Sequence, residues 1–550
     1  MRIQGGVISV VLVLIGIAPN ALRAQQSCEN LKNLALNHVT ITSAVSVEAG
    51  PMKPPKAPGP FPQPQGIVPR HCEVEGTARP TSDSEIKFLL WLPFADAWNG
   101  KYMQLGNGGW GGVIPSAGLA RPLTLGYAVS ATDDGHLAQT LIPPDATFAI
   151  GHPEKLVDFG YRAVHETALA SKAVLDTYYG KANSHAYFFG CSDGGREAFV
   201  EAERYPEDFD GILAGAPANH WTHQIAGFLW DEMAAHAKPE SKIPSAKLSL
   251  IQKTALDRCD ELDGVKDGLI ENPLSCHFDP SVLLCHGADS AECLTQPELV
   301  TLKKIYGGPK DPVTGEQIYP GYEPGSEADP FGWSAWILGD IQDEFANTFY
   351  GQAVHEDPQW DWHTADFHRE VTLAEQKTAA ILNSWSPDLR SFRDHGGKLI
   401  HYHGWSDSAV APRDSVDYYE RVQAFLGTYP DPRANNPASV ESFYRLFMIP
   451  GMQHCAGGQG PTSFGNGDIP AGVSDDADHD IVMALDRWVT LGIAPDRIIA
   501  TGALGADSEG RVKGTPVTRP LCPFPAVAHY NGSGDTDAAE HFSCVASPVK

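Results

Sequence analysis

Ser192 is the residue around which covalent chemistry can be built. It lies in Gly190-Cys191-Ser192-Asp193-Gly194, which fits the pattern G-x-S-x-G. Five letters arise often by chance, so the flanks decide. Ala186-Tyr187-Phe188-Phe189 reads as a short buried strand before the pattern, and Arg196 to Arg204 as a helix after it. A turn that tight from strand to helix needs small neighbours and lifts the serine hydroxyl above the sheet edge. The helix starting there turns backbone N–H groups toward a developing oxyanion. The chemistry is then nucleophilic acyl transfer, which also needs a base and an acid to orient it. In such folds these follow the serine in the order acid, histidine, each on a loop after a later strand. Lys398-Leu399-Ile400-His401-Tyr402-His403 reads as one strand and leads into Gly404-Trp405-Ser406-Asp407. Tyr444-Arg445-Leu446-Phe447-Met448-Ile449 reads as another and leads into Pro450-Gly451-Met452-Gln453-His454-Cys455. Loops past strand ends are where open α/β sheets place their sites. This selects Asp407 and His454. Asp414 and Asp417 fall in an expected helix and read as solvated. His401 and His403 alternate within a strand and read as structural or substrate-lining, while His136, His165 and His220 have no motif to recommend them as the base.

The cysteines provide an internal check. Cys191 immediately precedes the serine and Cys455 immediately follows the histidine. If Ser192 and His454 are within hydrogen-bond reach, their neighbours are close, and a disulfide needs Cα atoms about 4.4–6.8 Å apart. A Cys191–Cys455 bridge tying nucleophile to base is therefore expected.

For these loops to meet, one sheet must carry them. Glu85–Pro93 and Tyr127–Ala131 add two candidate strands, and Tyr161–Leu175 and Asp478–Leu491 two candidate helices. Alternating strands and helices indicate an α/β domain with a mostly parallel sheet. The proline-rich stretch 45–70 reads as an irregular crossing. Between 221 and 385 the rhythm disappears, and cysteines, tryptophans, Pro, Gly and Asp crowd in. That stretch is expected to be an inserted lid domain, with the catalytic domain formed by 25–220 and 386–550. Residues 1–24 (Arg2, an apolar run Val7–Ala18, then small residues to Ala24) read as a secretory signal, shorter than the roughly 20 apolar residues a span requires. A secreted or periplasmic protein is implied, and the 10 cysteines, without any C-x-x-C, agree with an oxidising compartment. The formal charge of −28, from 68 acidic against 40 basic residues, argues against nucleic acid and membrane partners.

The chain resembles the tannase and feruloyl esterase family of α/β-hydrolases. The likeness is carried by Cys191-Ser192, Asp407 and His454-Cys455, by Gly106-Asn107-Gly108-Gly109, by Asp158-Phe159-Gly160-Tyr161-Arg162-Ala163, and by Arg204 through Gly211. It extends over nearly all of the chain after the signal. The resemblance implies an α/β-hydrolase fold with a large lid, and a secreted serine esterase acting on aromatic-acid esters. The substrate is a small aromatic ester or an ester-decorated plant polymer, with feruloyl esters first and gallate esters or mono(2-hydroxyethyl) terephthalate as alternatives. Oxyanion donors are expected at the Asp193 amide and in the loop Gly106–Gly112, with Gly109 first and Gly108 close behind. It also implies the bridges Cys28–Cys72, Cys259–Cys276, Cys285–Cys293 and Cys522–Cys544.

Asp260, Asp263 and Asp267 crowd one loop, with Gly264 and Gly268 allowing sharp turns. Clustered carboxylates suit a hard cation, although the spacing is not that of an EF-hand. The resemblance makes this a structural Ca²⁺ site, formed by the three Asp side chains and the carbonyls of Val265 and Leu269, with no organic cofactor. In the lid, Trp333, Trp336, Trp360, Trp362 and Phe345 either form an aromatic wall for substrate or are the lid's own core. A serine peptidase or acyltransferase, and a binding module on a dead hydrolase fold, are the rival readings. The first predicts slow turnover of simple esters; the intact serine, acid and histidine oppose the second.

Overall fold

The computed structural model describes residues 26–52, 66–138, 142–427, 439–467, 474–506 and 512–546. The expected signal, residues 1–24, lies outside them. Strands β1 (Val39–Val47), β2 (Gly50–Pro51), β3 (Ile67–Val68), β4 (His71–Ala78), β5 (Ile86–Pro93), β6 (Lys101–Leu105), β7 (Ala128–Thr132), β8 (His185–Cys191), β9 (Gly211–Gly215), β10 (Lys398–Gly404) and β11 (Tyr444–Ile449) are followed by β12 (Ile498–Ala506), β13 (Val512–Leu521), β14 (Ala526–Tyr530) and β15 (Phe542–Ala546). One sheet of 9 strands runs in the order β1-β4-β5-β7-β6-β8-β9-β10-β11. From β7 through β11 all neighbours are parallel, whereas β1, β4 and β5 join by antiparallel pairing.

Strands buried on both faces must be apolar at consecutive positions. Accordingly Phe188, Ile212, Leu399 and Leu446 enter the core on one face, and Tyr187, Leu213, Ile400 and Phe447 the core on the other. Each such side chain contributes about 1.5–3 kcal/mol on burial. This two-sided packing fixes the height at which the strand ends, and so the site loops, emerge.

The helices differ from expectation only at their ends, for local reasons. The helix expected from Asp478 runs Ile481–Leu491, because the Asp480 side chain accepts the Met483 N–H and caps it. The one after Ser192 begins at Asp193, directly at the turn. The crossing at 45–70 is not wholly irregular, since β1 reaches Val47 and β2 pairs with β3.

The connection from β9 to β10 contains helices Trp221–Ala235, Leu248–Cys259, Gln296–Gly307, Ile341–Ala346 and Phe367–Leu382, and no strand of the main sheet. Trp221, Phe228, Phe345 and Val371 from it share an apolar core with Trp110, Leu156 and Phe159 from the sheet side. It is thereby packed down over the strand ends that carry the candidate loops. Among the described residues no helix is long and apolar enough to cross a membrane.

Candidate active site

Ser192 occupies the turn between β8 and the Asp193–Arg204 helix with φ 65° and ψ −120°. A positive φ is strained for a residue with a side chain, by about 1–3 kcal/mol, and must be held by its surroundings. Its N–H donates to Gly215 O (3.0 Å) and its carbonyl accepts from Ala218 N–H (3.0 Å). The glycines of the motif are required by close approach. A Cβ on Gly190 would lie 2.4 Å from Gly194 O, and one on Gly194 2.9 Å from Asn107 O.

The loops after β10 and β11 complete a relay. Ser192 Oγ–H donates to His454 Nε2 (2.8 Å), and His454 Nδ1–H donates to Asp407 Oδ2 (2.7 Å). The tautomer follows from chemistry, because an ionised carboxylate can only accept, leaving Nε2 free to take the serine proton. Asp407 is buried, which alone would raise its pKa. The charge that His454 carries once protonated, and the hydrogen bonds from His403 and His454, outweigh burial and hold the carboxyl well below the usual range. Its Oδ1 accepts the N–H groups of Ala409 (2.7 Å) and Val410 (2.9 Å), which fixes its rotamer.

A second chain of bonds reaches the same carboxylate from the sheet interior. Tyr444 Oη–H donates to His401 Nδ1 (2.8 Å), His401 Nε2–H to Ser415 Oγ (2.8 Å), Ser415 Oγ–H to His403 Nδ1 (2.6 Å), and His403 Nε2–H to Asp407 Oδ2 (3.1 Å). Burial keeps His401 neutral, by lowering its pKa well below the usual value, as this direction of donation requires. Sequence reading had these histidines as structural or substrate-lining. The signal for their role was period two along β10, with His403 four residues before the acid.

Asp193 heads its helix, where no intrahelical acceptor exists for its amide. Across from it, the loop after β6 is tied to the helix by Gly194 N–H donating to Asn107 O (2.8 Å). Among the described residues the amides of Gly108 and Gly109 have no backbone acceptor, while Gly111 and Gly112 donate to Gly108 O and Asp133 O. Amides without a backbone acceptor thus stand on two elements bonded to each other, the helix after Ser192 and the loop after β6.

A family model described as tannase and feruloyl esterase matches residues 72–545. The chain belongs to the tannase and feruloyl esterase family. It is 40% identical to an uncharacterised esterase of Xanthomonas campestris, over 98% of this chain and 94% of that one. It is 31% identical to mono(2-hydroxyethyl) terephthalate hydrolase of Piscinibacter sakaiensis, over 96% of this chain and 93% of that one. The crystal structure of feruloyl esterase B from Aspergillus oryzae superposes with a TM-score of 0.83 at 27% identity, covering 94% of this chain and 99% of that one. The protein is a carboxylic ester hydrolase with the α/β-hydrolase architecture of that family.

In this esterase Cys191 and Cys455 are bonded, with Cα atoms 5.8 Å apart. Cys28–Cys72, Cys259–Cys276, Cys285–Cys293 and Cys522–Cys544 pair as the resemblance implied, leaving no free cysteine. Replacing both Cys191 and Cys455 by alanine is expected to cost about 2–5 kcal/mol of unfolding free energy. It is also expected to lower kcat more than it raises KM, because it frees the serine loop from the histidine loop. Denaturant midpoints and steady-state kinetics check both.

Of the five aromatic residues considered for a substrate wall, Trp336 touches the relay. Its ring stands edge-on to His454 at 5.6 Å between centroids. Phe345 lies behind it at 6.3 Å. Trp333 corrects the wall reading: it is 1% exposed, packs on Tyr306 and Tyr322, and belongs to the core of the β9–β10 connection. Trp360 and Trp362 stack on His355 and His363. Asp414 is a second correction. It is buried rather than solvated, and burial raises its pKa well above the usual value. Asp417, half-exposed, pairs with Arg413 at 2.8 Å.

The acidic loop folds back on itself. Asp260 Oδ1 accepts the N–H groups of Asp267 (3.0 Å) and Gly268 (3.2 Å), and Asp263 Oδ1 that of Val265 (3.0 Å). Arg519 Nη2 donates to Asp267 Oδ2 at 2.6 Å. Burial, with the Asp267 charge adding, pushes Asp263 up to about 6. Burial, with the charges of Asp263 and Asp267, pushes Glu271 up to about 8. One guanidinium does not neutralise these carboxylates, so charge and donor type fit a hard divalent cation.

Proposed function

We propose that this protein is an exported serine esterase that cleaves esters of aromatic acids through an acyl-enzyme on Ser192. The observation that carries the reading is the relay from Ser192 through His454 to Asp407. His454 takes the serine proton as Oγ attacks the ester carbonyl, and then gives it to the departing alcohol. Asp407 holds the imidazole tautomer. The amides of Asp193 and of Gly109, or Gly108, receive the oxyanion, each donor being worth about 2.7–4 kcal/mol of barrier. Water, activated by the same histidine, then releases the acid.

Trp336 beside His454 supports an aromatic acyl group, and the names of the relatives support the substrate class. A feruloyl-type ester is the first choice. Export is supported by the apolar N-terminal run and by five disulfides. Turnover of methyl ferulate, methyl gallate and mono(2-hydroxyethyl) terephthalate, measured side by side, tests the class. Cleavage of one of them supports the reading and ranks the substrates. A folded protein inert on all three overturns it.

The acidic loop is read as a structural calcium site. Asp260, Asp263 and Asp267 with the carbonyls of Val265 and Leu269 would hold the ion. Its chemistry there is charge neutralisation. The loop abuts the histidine loop, since a Cβ on Gly451 would lie 2.6 Å from Leu269 Cδ2. Ca²⁺ at a hundred times its Kd adds about 2.7 kcal/mol of stability. Chelation by EDTA is expected to lower the melting temperature, and Asp263→Asn to remove that response. An EDTA-insensitive wild type contradicts the site.

A further inference from the structure

Beneath the proposed oxyanion donors three carboxyl groups crowd together with a single cation. One oxygen from each of Asp134, Asp193 and Glu197 lies within 4.8 Å of the others, and all three residues are buried. Arg196 faces Asp193, donating from Nε to Oδ1 at 2.5 Å, while Nη1 donates to Gly160 O and Nη2 to Phe159 O. Among the described residues no cation is hydrogen-bonded to the other two, and Arg196 reaches Glu197 only through space. Both oxygens of Asp134 and Oε1 of Glu197 are buried without a fixed donor.

These two side chains hold the two ends of the glycine loop. Glu197 Oε2 accepts the Asn107 N–H at 2.9 Å and fills the space a Cβ on Gly106 would need, 2.6 Å away. Asp134 Oδ2 fills the space beside Gly111, 2.4 Å from where a Cβ would stand. Asp134 itself sits at φ 57°, in the left-handed region that few non-glycine residues other than Asn and Asp adopt. Two carboxylates this close cannot both ionise in a buried site, and one proton between them turns repulsion into a charge-assisted hydrogen bond.

We infer that Asp134 and Glu197 share one proton and, as an acid–carboxylate pair, clamp the loop carrying the Gly108 and Gly109 amides against the helix carrying the Asp193 amide. They are positioning residues for the oxyanion donors. This role presupposes the serine-esterase reading above. The electrostatics agree with it. Burial, then the charges of Glu197 and Asp193, raise Asp134 well above the usual carboxylate range. Burial, then the Asp193 charge, pushes Glu197 up to about 8. The other charged or titratable groups facing the pair are Asp193, Arg196 and the buried Glu201 on the helix, Asp133 and His136 on the Asp134 turn, and, beyond Gly135, Asp158 and Lys155. Burial pushes His136 down to about 4, so it supplies no cation, and pushes Asp133 up to about 7, so above neutrality it adds a further negative charge. For acids with raised pKa values the sign is fixed. The shared proton is in place at neutral pH and is lost only as pH rises through the raised pKa of Asp134, the group that keeps it once Glu197 ionises. Two anions then repel beneath an oxyanion that is itself negative.

The test uses wild type, Asp134→Ala and Asp134→Asn, with kcat, KM, melting temperature and bound divalent metal measured from pH 6 to pH 10. Asp134→Ala is expected to lose at least tenfold in kcat with KM changed less than threefold. Asp134→Asn keeps a donor toward Glu197 at every pH, so it should regain most of that loss. It should also move the alkaline fall of kcat upward by at least one pH unit. An alkaline limb unmoved in Asp134→Asn overturns the inference even if Asp134→Ala does not fold. So does the loss of one metal equivalent in Asp134→Asn, which would put a cation where the proton is placed. Ser192→Ala, assayed alongside, separates the two readings: full activity there sinks the serine mechanism, not the clamp alone.

Discussion

Ser192→Ala is expected to lower kcat by about 10⁴-fold or more while leaving the protein folded. The residue supplies the only oxygen within the relay that His454 Nε2 can deprotonate, and alanine removes it without adding bulk. Stability should move by less than about 1 kcal/mol, since alanine carries the same backbone strain at φ 65° and Ser192 Oγ makes no second bond. Substrate binding should persist, because the oxyanion amides and Trp336 are untouched. A kcat that falls less than tenfold, in protein with an unchanged melting temperature, would falsify the assignment of nucleophile.

Asp407→Asn should be nearly as damaging, with a loss of about 10⁴-fold in kcat and a small change in KM. The direction follows from the bonds. Oδ1 is fixed by the Ala409 and Val410 amides, so an asparagine keeps its oxygen there and turns its NH₂ toward His454 Nδ1 and His403 Nε2. Both of those nitrogens are donors in the native chain. Facing an amide donor, His454 is driven to the other tautomer, with Nε2 protonated and unable to accept from Ser192. Steady-state kinetics on the best ester, with circular dichroism to confirm folding, measure the effect. Activity within tenfold of wild type would mean that another group orients His454.

The parts of this site that sequence could reveal were those whose chemistry is local. The serine turn is written in glycines that close approach requires, and the acid and histidine each follow an apolar strand by a few residues. The bridge between Cys191 and Cys455 follows from adjacency to residues that must touch. The α/β alternation was visible because each parallel strand is buried on two faces and reads as an apolar run. By contrast β1 is half-exposed and β4, though mostly buried, is polar in sequence (His71, Glu73, Glu75, Thr77), so neither gave such a signal. The C-terminal ladders β12–β13 and β14–β15 pair outside the main sheet and were also missed.

Long-range placement was the limit elsewhere. Trp333 and Trp336 are three residues apart, yet one faces the core of its own segment and the other His454, and composition cannot separate them. Asp134 follows the end of β7 and Glu197 lies on the helix after β8, and they meet only once the sheet is assembled. Asp414 read as solvated because it lies on an amphipathic helix, and only packing shows which face it takes.

The most direct measurement is covalent trapping of the nucleophile. Wild type and Ser192→Ala are treated with an aryl fluorophosphonate, and intact mass, peptide mapping and residual hydrolysis of methyl ferulate are followed together. One adduct per chain, on Ser192, appearing in step with the loss of hydrolysis and absent from Ser192→Ala, is the expected result. Adduct on another residue, or hydrolysis surviving in fully labelled protein, contradicts the relay of Ser192, His454 and Asp407 as the catalytic centre.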